Sequence, residues 1–235
     1  MSPQALVAQA QARGVSLIAL TDHNCARNAP ALAAAAAATG GLVKALYGLE
    51  VRTAEEVDVL TIFGDVEAAL EFGEWVWSGL PDVPCNPALF GDQVVVDEHE
   101  EILEFVDRLL INGIAYDLDT VCRRARERGA LVVPAHVDRP TDSVISQLGW
   151  LPEELPVDAV ELSRFGDEHE LARTHRWLTE RPVVRFSDAH RLADVGYQQT
   201  RFHVAEATID ELREALRGRE GRWAEPVRQA LSKES

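Results

Sequence analysis

The stretch VSLIALTDHN, residues 15–24, decides the fold because an almost continuously apolar run ends directly in polar residues. Residues 15–20 predict a strand that is buried on both faces, as the strands of parallel sheets are. The tail TDHN at residues 21–24 then places a carboxylate and an imidazole at the C-terminal end of that strand. Such an arrangement favours a site at the mouth of an α/β sheet or barrel.

Helix signals flank this strand on both sides. Ser2 as an N-cap and Pro3 at the first helical position predict a helix over residues 3–13. After the strand, Asn28 as a cap predicts an alanine-rich helix over residues 29–38. A helix, a strand, a polar loop and a second helix therefore follow one another from the start of the sequence.

Strands and helices continue to alternate along the chain. Short apolar runs predict strands at residues 42–46, 57–63, 130–134, 157–162, 182–186 and 201–204, and helices are predicted at residues 119–128 and after a capping-box pattern at residues 208–211. This alternation predicts an α/β fold with a mainly parallel sheet or barrel.

Residues 74–118 interrupt the alternation. They contain Trp75, Trp77, several prolines and an acidic run at residues 97–101, which predicts an irregular insertion. Packing against the core is the preferred interpretation of the two tryptophans, and lining of a pocket is the alternative. At 235 residues with 46% hydrophobic residues, the chain is predicted to be one domain, residues 1–235, that contains this insertion.

Charge and cysteine content narrow the classes of function. The formal net charge of −16 disfavours an extended nucleic-acid groove, although a short oligonucleotide is compatible with it. No apolar run approaches the roughly 20 residues that a membrane span needs, so no membrane partner is expected. Three widely separated cysteines predict neither a zinc knuckle nor a disulfide framework, and they favour a reducing cytoplasm.

Four polar clusters each lie at the end of a predicted strand. They are Asp22-His23, Glu50 in GLEV (48–51), His136 in PAHVDRP (134–140), and Asp188 with His190 in SDAH (187–190). The C-terminal ends of parallel strands meet at one mouth of a barrel, so these side chains are expected to converge there. Imidazole and carboxylate together suit Zn²⁺, Mn²⁺ or Fe²⁺, and the absence of nearby cysteines disfavours a thiolate site.

In order and spacing, TDHN, GLEV, PAHVDRP and SDAH resemble the successive motifs of the PHP (polymerase and histidinol phosphatase) superfamily of metal-dependent phosphoesterases. The similarity runs from about Ser2 to the helix that contains Glu211. The resemblance implies a distorted, TIM-like (βα)₇ barrel with a metal site at the strand C-termini. It also implies two or three divalent ions as cofactors, Zn, Mn or Fe.

The resemblance assigns roles to individual residues. The implied metal ligands are His23, Glu50, Asp58, His136, Asp188 and His190, of which His23, His190 and Asp188 share one metal, Glu50 bridges two others and His136 joins the second. Asp22 is expected to orient a ligand without binding metal itself. Arg139 and Arg191 directly follow ligand motifs and are candidates for contacting substrate phosphate, with surface ion pairing as the alternative.

Two departures from the family pattern stand out. The family's opening His-x-His strand has no counterpart before Asp22, and His23 is the first histidine of the chain. The first strand is therefore expected to be missing or incomplete, which a misassigned start codon or a trimmed chain explains. In addition, Asp58 stands where relatives often have a metal-binding histidine, and an aspartate is also able to bind metal.

The predicted function follows from these motifs. A metal-dependent phosphoesterase is expected to hydrolyse a small phosphate ester, either a phosphorylated metabolite or a nucleotide, through a metal-bound hydroxide. One alternative is an exonuclease or oligonucleotide phosphodiesterase of the same family. The other is an inactive, truncated metal-binding scaffold, whose exposed sheet edge favours association.

Overall fold

A computed structural model describes residues 1–228. The predicted domain limit at residue 235 lies outside the described residues. Within them the strands are β1 (Leu17–His23), β2 (Lys44–Arg52), β3 (Asp58–Phe63), β4 (Val94–Val96), β5 (Ile102–Phe105), β6 (Leu131–Pro134), β7 (Val160–Glu161), β8 (Val183–Val184), β9 (Gln198–His203) and β10 (Trp223–Arg228). The helices are α1 (Pro3–Ala12), α2 (Ala29–Ala37), α3 (Val66–Gly79), α4 (Pro87–Phe90), α5 (Leu118–Glu127), α6 (Val144–Gln147), α7 (Glu168–Thr174) and α8 (Ile209–Leu216), with 3-10 turns at Arg176–Glu180 and Leu192–Asp194.

The principal sheet has four strands in the order β1-β2-β3-β6. β1 and β2 are parallel, whereas β3 is antiparallel to both of its neighbours. The prediction of a mainly parallel sheet is therefore wrong for this sheet, which is mixed. As a result, the C-terminal ends of β1, β2 and β6 and the N-terminal end of β3 lie at one edge of the sheet.

The short connection between β2 and β3 is the reason for the antiparallel pairing. Five residues separate these strands, and only a hairpin is compatible with so short a link, because parallel strands need a much longer crossover. The hairpin is closed by a hydrogen bond from Thr53 N to Val57 O (3.0 Å) and contains Glu56 at a φ of 60°. A Cβ at Gly48 would lie 2.2 Å from the Thr61 carbonyl oxygen, which explains the glycine of the GLEV motif.

The outer edge of β1 borders a large cavity. No backbone partner for this edge lies among the described residues, and every residue of β1 is at least partly exposed. A cavity of about 910 Å³ separates β1 from β9 and is lined by apolar side chains that include Leu46, Ile62, Phe186 and Phe202. The predicted burial of residues 15–20 on both faces is therefore wrong, because the described residues cover only one edge and part of the faces of this strand.

The remaining strands extend the principal sheet into an arc. Asp158 N donates to Val132 O (2.8 Å) and Val137 N donates to Glu161 O (2.9 Å), which joins β6 to the β7 region. β7 and β8 are parallel, and β9 pairs with β10 in antiparallel register. The described strands thus form an α/β fold of mixed sheets, and closure into a (βα)₇ barrel stays a prediction.

The main core lies between the sheet and helices α3 and α5. Ala69, Phe72 and Val76 follow one face of α3 at helical spacing, and all are at most 2% exposed. Val121 and Cys122 of α5 are fully buried against the same sheet face. Burial of each large apolar side chain stabilises the fold by about 1.5–3 kcal/mol, so these helices hold the strands that carry the site.

The segment 74–118 begins inside α3. Trp75 stacks on Tyr116 with ring centroids 4.3 Å apart. The guanidinium carbons of Arg27 and Arg108 lie over the Trp77 ring, 4.4 and 4.6 Å from its centre. Both tryptophans pack against the main core, in agreement with the preferred interpretation of their role. The rest of the segment includes the hairpin β4–β5, in which β5 is exposed and Val95 of β4 packs into the main core, and its status as an insertion stays a prediction.

The structure also bears on possible membrane spans and on the state of the cysteines. Among residues 1–228, no helix has the length and apolar character required to cross a lipid bilayer. Cys25, Cys85 and Cys122 are free cysteines.

Candidate metal centre

Three adjacent strands bring together Glu50, Asp58 and His136. Each offers one donor atom, and these three atoms lie within 4.8 Å of one another. His136 Nε2 is 3.1 Å from Glu50 Oε1 and 3.7 Å from Asp58 Oδ2. All three residues are buried, and they are called the buried cluster below.

The backbone around His136 explains how its ring reaches the cluster. β6 ends at Pro134, and His136 then adopts a φ of 29°, which is a strained conformation for a residue with a side chain. Its backbone N–H donates to the carboxylate of Glu161 (3.1 Å), and its carbonyl accepts from Arg139 N (2.9 Å). These bonds hold the turn that directs the imidazole back over the sheet edge.

His23 extends the buried cluster from the end of β1. Its register partner is Glu50, and its Nδ1 lies 3.3 Å from Glu50 Oε2. This nitrogen is buried and has no hydrogen-bond partner of suitable geometry. The next residue, Asn24, fixes the loop by donating to Leu110 O (2.7 Å) and accepting from Arg52 N (3.2 Å).

A second group of side chains lies at the rim of the site. It consists of Arg139, Asp188 and His190 and is called the rim group below. The Arg139 guanidinium forms an ion pair with Asp188, and His190 Nδ1 is 3.6 Å from Asp188 Oδ1. The His190 ring is 6.4 Å from the ring of His23, which joins the two groups. Arg191 is exposed and precedes the 3-10 turn at Leu192–Asp194.

Asp22 and Asn28 support the loop beneath this site. Asp22 is half-buried and accepts a hydrogen bond from Asn28 Nδ2 (3.1 Å). Burial raises the pKa of the Asp22 carboxyl group, and the hydrogen bond from Asn28 opposes that effect. Asn28 also bonds to Val94 and Val96 of β4, so its side chain connects the loop to the β4–β5 hairpin and does not cap α2.

Sequence reasoning missed Arg52 as a partner of the site. Arg52 and Asp58 are directly opposite in the β2–β3 register, and the guanidinium binds both carboxylate oxygens at 2.9 Å. Arg52 NH1 also lies 3.3 Å from Asp142 Oδ1. A cationic residue two positions after Glu50, facing Asp58 across a short hairpin, was the available signal. Asp58 therefore has a fixed orientation, with Oδ2 towards His136.

Sequence reasoning also missed Glu161. This residue ends β7, is 3% exposed and accepts the His136 N–H. Burial raises the pKa of Glu161 to about 7, against the opposing charge of His136. No motif marked this position, because a glutamate at the end of a two-residue strand carries little sequence signal.

The charges in the buried cluster depend on one another. Although burial acts to raise it, the pKa of Glu50 is lowered by the hydrogen bond from His136 and by the charges of His23 and Arg139. Although burial acts to lower it, the pKa of His136 is raised by Glu50. Burial raises the pKa of Asp58 despite the hydrogen bonds from Arg52. Glu50 and His136 therefore favour each other's charged form, whereas burial disfavours the charged form of Asp58.

The donor atoms of the buried cluster fit a divalent metal ion. Nitrogen and oxygen ligands about 2.1 Å from a tetrahedral ion are about 3.4 Å apart, and the observed separations from His136 Nε2 are 3.1 and 3.7 Å. The approach of His23 Nδ1 to Glu50 without a hydrogen bond is also typical of two ligands that share an ion. The donor set is one that suits Zn²⁺, Mn²⁺ or Fe²⁺.

Comparison with protein families agrees with this site. The model of the PHP domain matches residues 1–144, and the model of the PHP-associated family matches residues 170–220. An α/β fold with a buried carboxylate and imidazole cluster at one sheet edge is thus found in a family of phosphoester hydrolases. The chain belongs to the PHP domain family, which confirms the resemblance of its motifs.

Solved structures with similar folds include two of Endonuclease Q. The lesion-specific endonuclease PfuEndoQ from Pyrococcus furiosus is 20% identical, with a TM-score of 0.68 over 95% of this chain and 53% of that chain. Endonuclease Q in complex with a 27-mer duplex is 21% identical, with a TM-score of 0.70 and the same coverage. PsfC from Pseudomonas syringae is 16% identical, with a TM-score of 0.55 over 97% of this chain and 82% of that chain.

These structural similarities show that the chain shares the fold of these proteins. The chain spans about half the length of the Endonuclease Q chains that it matches. A search of curated proteins found no match.

Proposed function

We propose that the protein hydrolyses a small phosphate ester, such as a phosphorylated metabolite or a nucleotide, with two or three divalent metal ions. The observation that carries this proposal is the buried cluster, in which Glu50, Asp58 and His136 hold three donor atoms within 4.8 Å at the sheet edge. Arg52 pairs with Asp58 and His136 pairs with Glu50, and a cation bound among the three donor atoms would compensate their buried negative charge further. A metal ion is the partner that suits these donors.

The proposed ligands divide between the two groups of the site. Glu50, Asp58 and His136 would hold one ion, and Glu50 would also serve a second, for which His23, Asp188 and His190 would supply the remaining ligands. When bound, these ions polarise the phosphoryl oxygens and lower the pKa of a water molecule, which makes it a nucleophile at neutral pH. Zn, Mn and Fe are all compatible with this donor set, and Asp22 orients a ligand from beneath.

The chain's own residues bind and orient the ester. Arg139 presents a planar guanidinium group at the half-exposed rim, where it is paired with the Asp188 carboxylate. An arginine in that position binds phosphate oxygens in the same bidentate manner as a carboxylate. Arg191 adds a second positive charge on the exposed side. The cavity beside β1 reaches Glu50, Asp188 and His190, so it gives the ester access to the site.

The proposal also covers the barrel architecture and the cellular location, which membership of the family does not establish. The strands outside the β4–β5 hairpin are proposed to belong to a distorted (βα)₇ barrel that is incomplete at the outer edge of β1. The three free thiols favour a reducing cytoplasm as the location.

A second candidate function is hydrolysis of a phosphodiester in a short oligonucleotide. The fold similarity to Endonuclease Q with a bound 27-mer duplex supports this candidate. The net charge of −16 opposes it for long nucleic acids, because a polyanion is repelled unless bound cations offset that charge. An inactive metal-binding scaffold is the outcome if no ester is hydrolysed.

The test compares a monoester with a diester. Chelated protein is reloaded with Mn²⁺ or Zn²⁺, and hydrolysis of p-nitrophenyl phosphate and bis(p-nitrophenyl) phosphate is measured for the native chain, Glu50→Gln and the control Glu71→Gln, which changes an exposed residue of α3. The proposal expects metal-dependent hydrolysis that Glu50→Gln abolishes and Glu71→Gln preserves. Preference for the diester favours the second candidate. Metal binding without any hydrolysis favours the scaffold and contradicts the proposal.

A further inference from the structure

A tight turn follows β7 at the mouth of the site. Residues 163–166, with the sequence SRFG, are closed by a hydrogen bond from Gly166 N to Ser163 O (3.2 Å). Ser163 Oγ also accepts from Phe165 N (3.2 Å), and this second hydrogen bond within the turn stabilises it. Arg164 and Phe165 occupy its tip.

A partly buried carboxylate and a buried guanidinium group hold this turn from beneath. Asp138 accepts from Ser163 N (2.7 Å) and Ser163 Oγ (2.6 Å). The guanidinium of Arg185, which is 2% exposed, donates to the carbonyl oxygens of Ser163 and Gly166. A Cβ at Gly166 would lie 2.6 Å from Asp138 Oδ2, so only glycine fits against the clamp. The tip is therefore held rigidly, although it points into solvent.

The tip exposes an unusually large aromatic surface. Phe165 is 82% exposed, the highest value among the exposed large apolar side chains of the described residues. The guanidinium carbon of Arg164 lies 4.7 Å from the centre of the Phe165 ring and covers one face of it. Most of the ring surface is still exposed. Nearby Asp167 directs its carboxylate to the first amides of α7, at His169 and Glu170.

The turn is part of the same mouth as the candidate metal centre. Ser163 is two residues beyond Glu161, so their Cα atoms are at most about 7 Å apart, and Glu161 binds the backbone of His136. Asp138, which clamps the turn, is likewise two residues beyond His136. The turn therefore lies next to the backbone that carries the buried cluster, so a substituent of an ester bound at the metal centre is able to reach it.

We propose that Phe165, with Arg164 behind it, is a stacking platform for the nucleobase of the substrate. This inference rests on the proposed phosphoesterase function and names its substrate class, a phosphate ester that carries a nucleobase. A rigid, exposed aromatic ring binds every base through its π-face, and a guanidinium group on the opposite face strengthens the stack. Phe165 is thus a specificity-determining residue, because it contacts the part of the substrate that does not react.

The test compares esters that differ only in the base. Phosphate release from adenosine 5′-monophosphate and from ribose 5-phosphate is measured for the native chain, Phe165→Ala, Phe165→Tyr and the control Phe90→Ala, which removes an exposed phenylalanine from α4. The expected result for Phe165→Ala is a KM that rises about tenfold for the nucleotide and is unchanged for the sugar phosphate. Phe165→Tyr should restore the native KM. A labelled dinucleotide distinguishes an oligonucleotide from a mononucleotide as the source of the base.

Binding measurements separate this inference from the proposed function. Isothermal titration calorimetry of the metal-loaded protein with the same two ligands needs no turnover. If the native chain prefers the nucleotide and Phe165→Ala loses that preference, the platform stands whether or not the ester is hydrolysed. If both ligands bind equally to the native chain, or if Phe165→Ala weakens both alike, the platform is overturned while phosphoester hydrolysis is unaffected.

Discussion

The buried cluster and the rim group face each other across one mouth, and they are held in different ways. Glu50, Asp58 and His136 stand on or directly after strands of a continuous sheet, and the His136 side chain is 3% exposed. Asp188 and His190 lie on a loop after the two-residue strand β8, and the His190 side chain is 67% exposed. The first group is fixed by backbone pairing and burial, whereas the second depends on an ion pair with Arg139.

This difference indicates that the buried cluster and the rim group have different roles in the proposed mechanism. Donor atoms that are already close together lose little conformational entropy when an ion binds, so the buried cluster should bind its metal more tightly. In the rim group, the Asp188 carboxylate and the Arg139 guanidinium neutralise each other. In the proposed mechanism, an incoming phosphate would pair with Arg139 and an ion would pair with Asp188. The rim is therefore expected to control substrate binding and the weaker metal.

The largest expected effect comes from breaking the buried cluster. His136→Ala removes a donor and leaves Glu50 and Asp58 as adjacent buried carboxylates with less compensation. We expect kcat/KM to fall by about 1000-fold or more and the metal content to drop. Elemental analysis and hydrolysis of p-nitrophenyl phosphate measure both effects.

The matched control for this change is His99→Ala, which removes an exposed histidine of residues 97–101. It should leave activity and metal content unchanged. If His136→Ala retains a tenth of the native activity, the buried cluster is not the centre of the reaction.

A second prediction concerns the residue beneath the buried cluster. The folded state holds the Glu161 proton up to about pH 7, whereas the unfolded chain releases it near 4.5. The stability contribution is therefore full below pH 4.5 and is lost as the pH rises through 7. A shift of this size corresponds to about 3 kcal/mol. Urea unfolding of chelated protein should show that Glu161→Gln removes most of this decline between pH 5 and 8.

Exposed Glu154 offers the comparison for that measurement. Glu154→Gln should retain the native decline of stability with pH. An unchanged pH dependence in Glu161→Gln would show that the carboxyl group is ionised throughout this range.

The third prediction separates the rim from the buried cluster. Asp188→Asn should remove one weakly held ion and lower kcat/KM by about 100-fold, while the ion of the buried cluster is retained. Stepwise chelation followed by metal analysis distinguishes the two sites. The control Asp82→Asn changes a carboxylate that is almost fully exposed and should have no effect. Loss of all bound metal in Asp188→Asn would mean that the two groups bind as one unit.

The smallest expected effect concerns the two rim arginines. Arg139→Gln should raise KM for a phosphate ester by about tenfold with little change in metal content, because it removes a bidentate phosphate contact. Arg191→Gln should raise KM less, since this residue is more exposed and lies farther along the loop. Arg219→Gln, at an exposed position after α8, is the control. Equal effects of Arg139→Gln and Arg191→Gln would remove the distinction between them.

Much of the site was predictable because its residues lie at the ends of predicted strands. Apolar runs that stop at a histidine or a carboxylate locate His23, Glu50 and His136, and the structure brings these three side chains together. Arg52 and Glu161 were missed for a physical reason. Each acts through a contact whose partner is set by register or by a turn: Arg52 becomes recognisable only once the β2–β3 hairpin is inferred, and Glu161 has no local sequence signal.

The fold was predictable to the level of its class but not of its strand directions. Alternation of strands and helices predicted an α/β fold, yet β3 is antiparallel because its link to β2 is too short for a crossover. Residues 15–20 read as buried because they are apolar, but β1 lies beside a cavity of about 910 Å³. An apolar run shows that a strand is suited to burial, but it does not show which neighbouring element covers the strand.

The most direct test of the central claim is anomalous diffraction from crystals of the native chain soaked in Mn²⁺. The account predicts a strong peak at bonding distance, about 2.0–2.3 Å, from His136 Nε2 and from carboxylate oxygens of Glu50 and Asp58, with a weaker peak near Asp188 and His190. A strong peak at the rim alone, or none within reach of His136, would contradict the account.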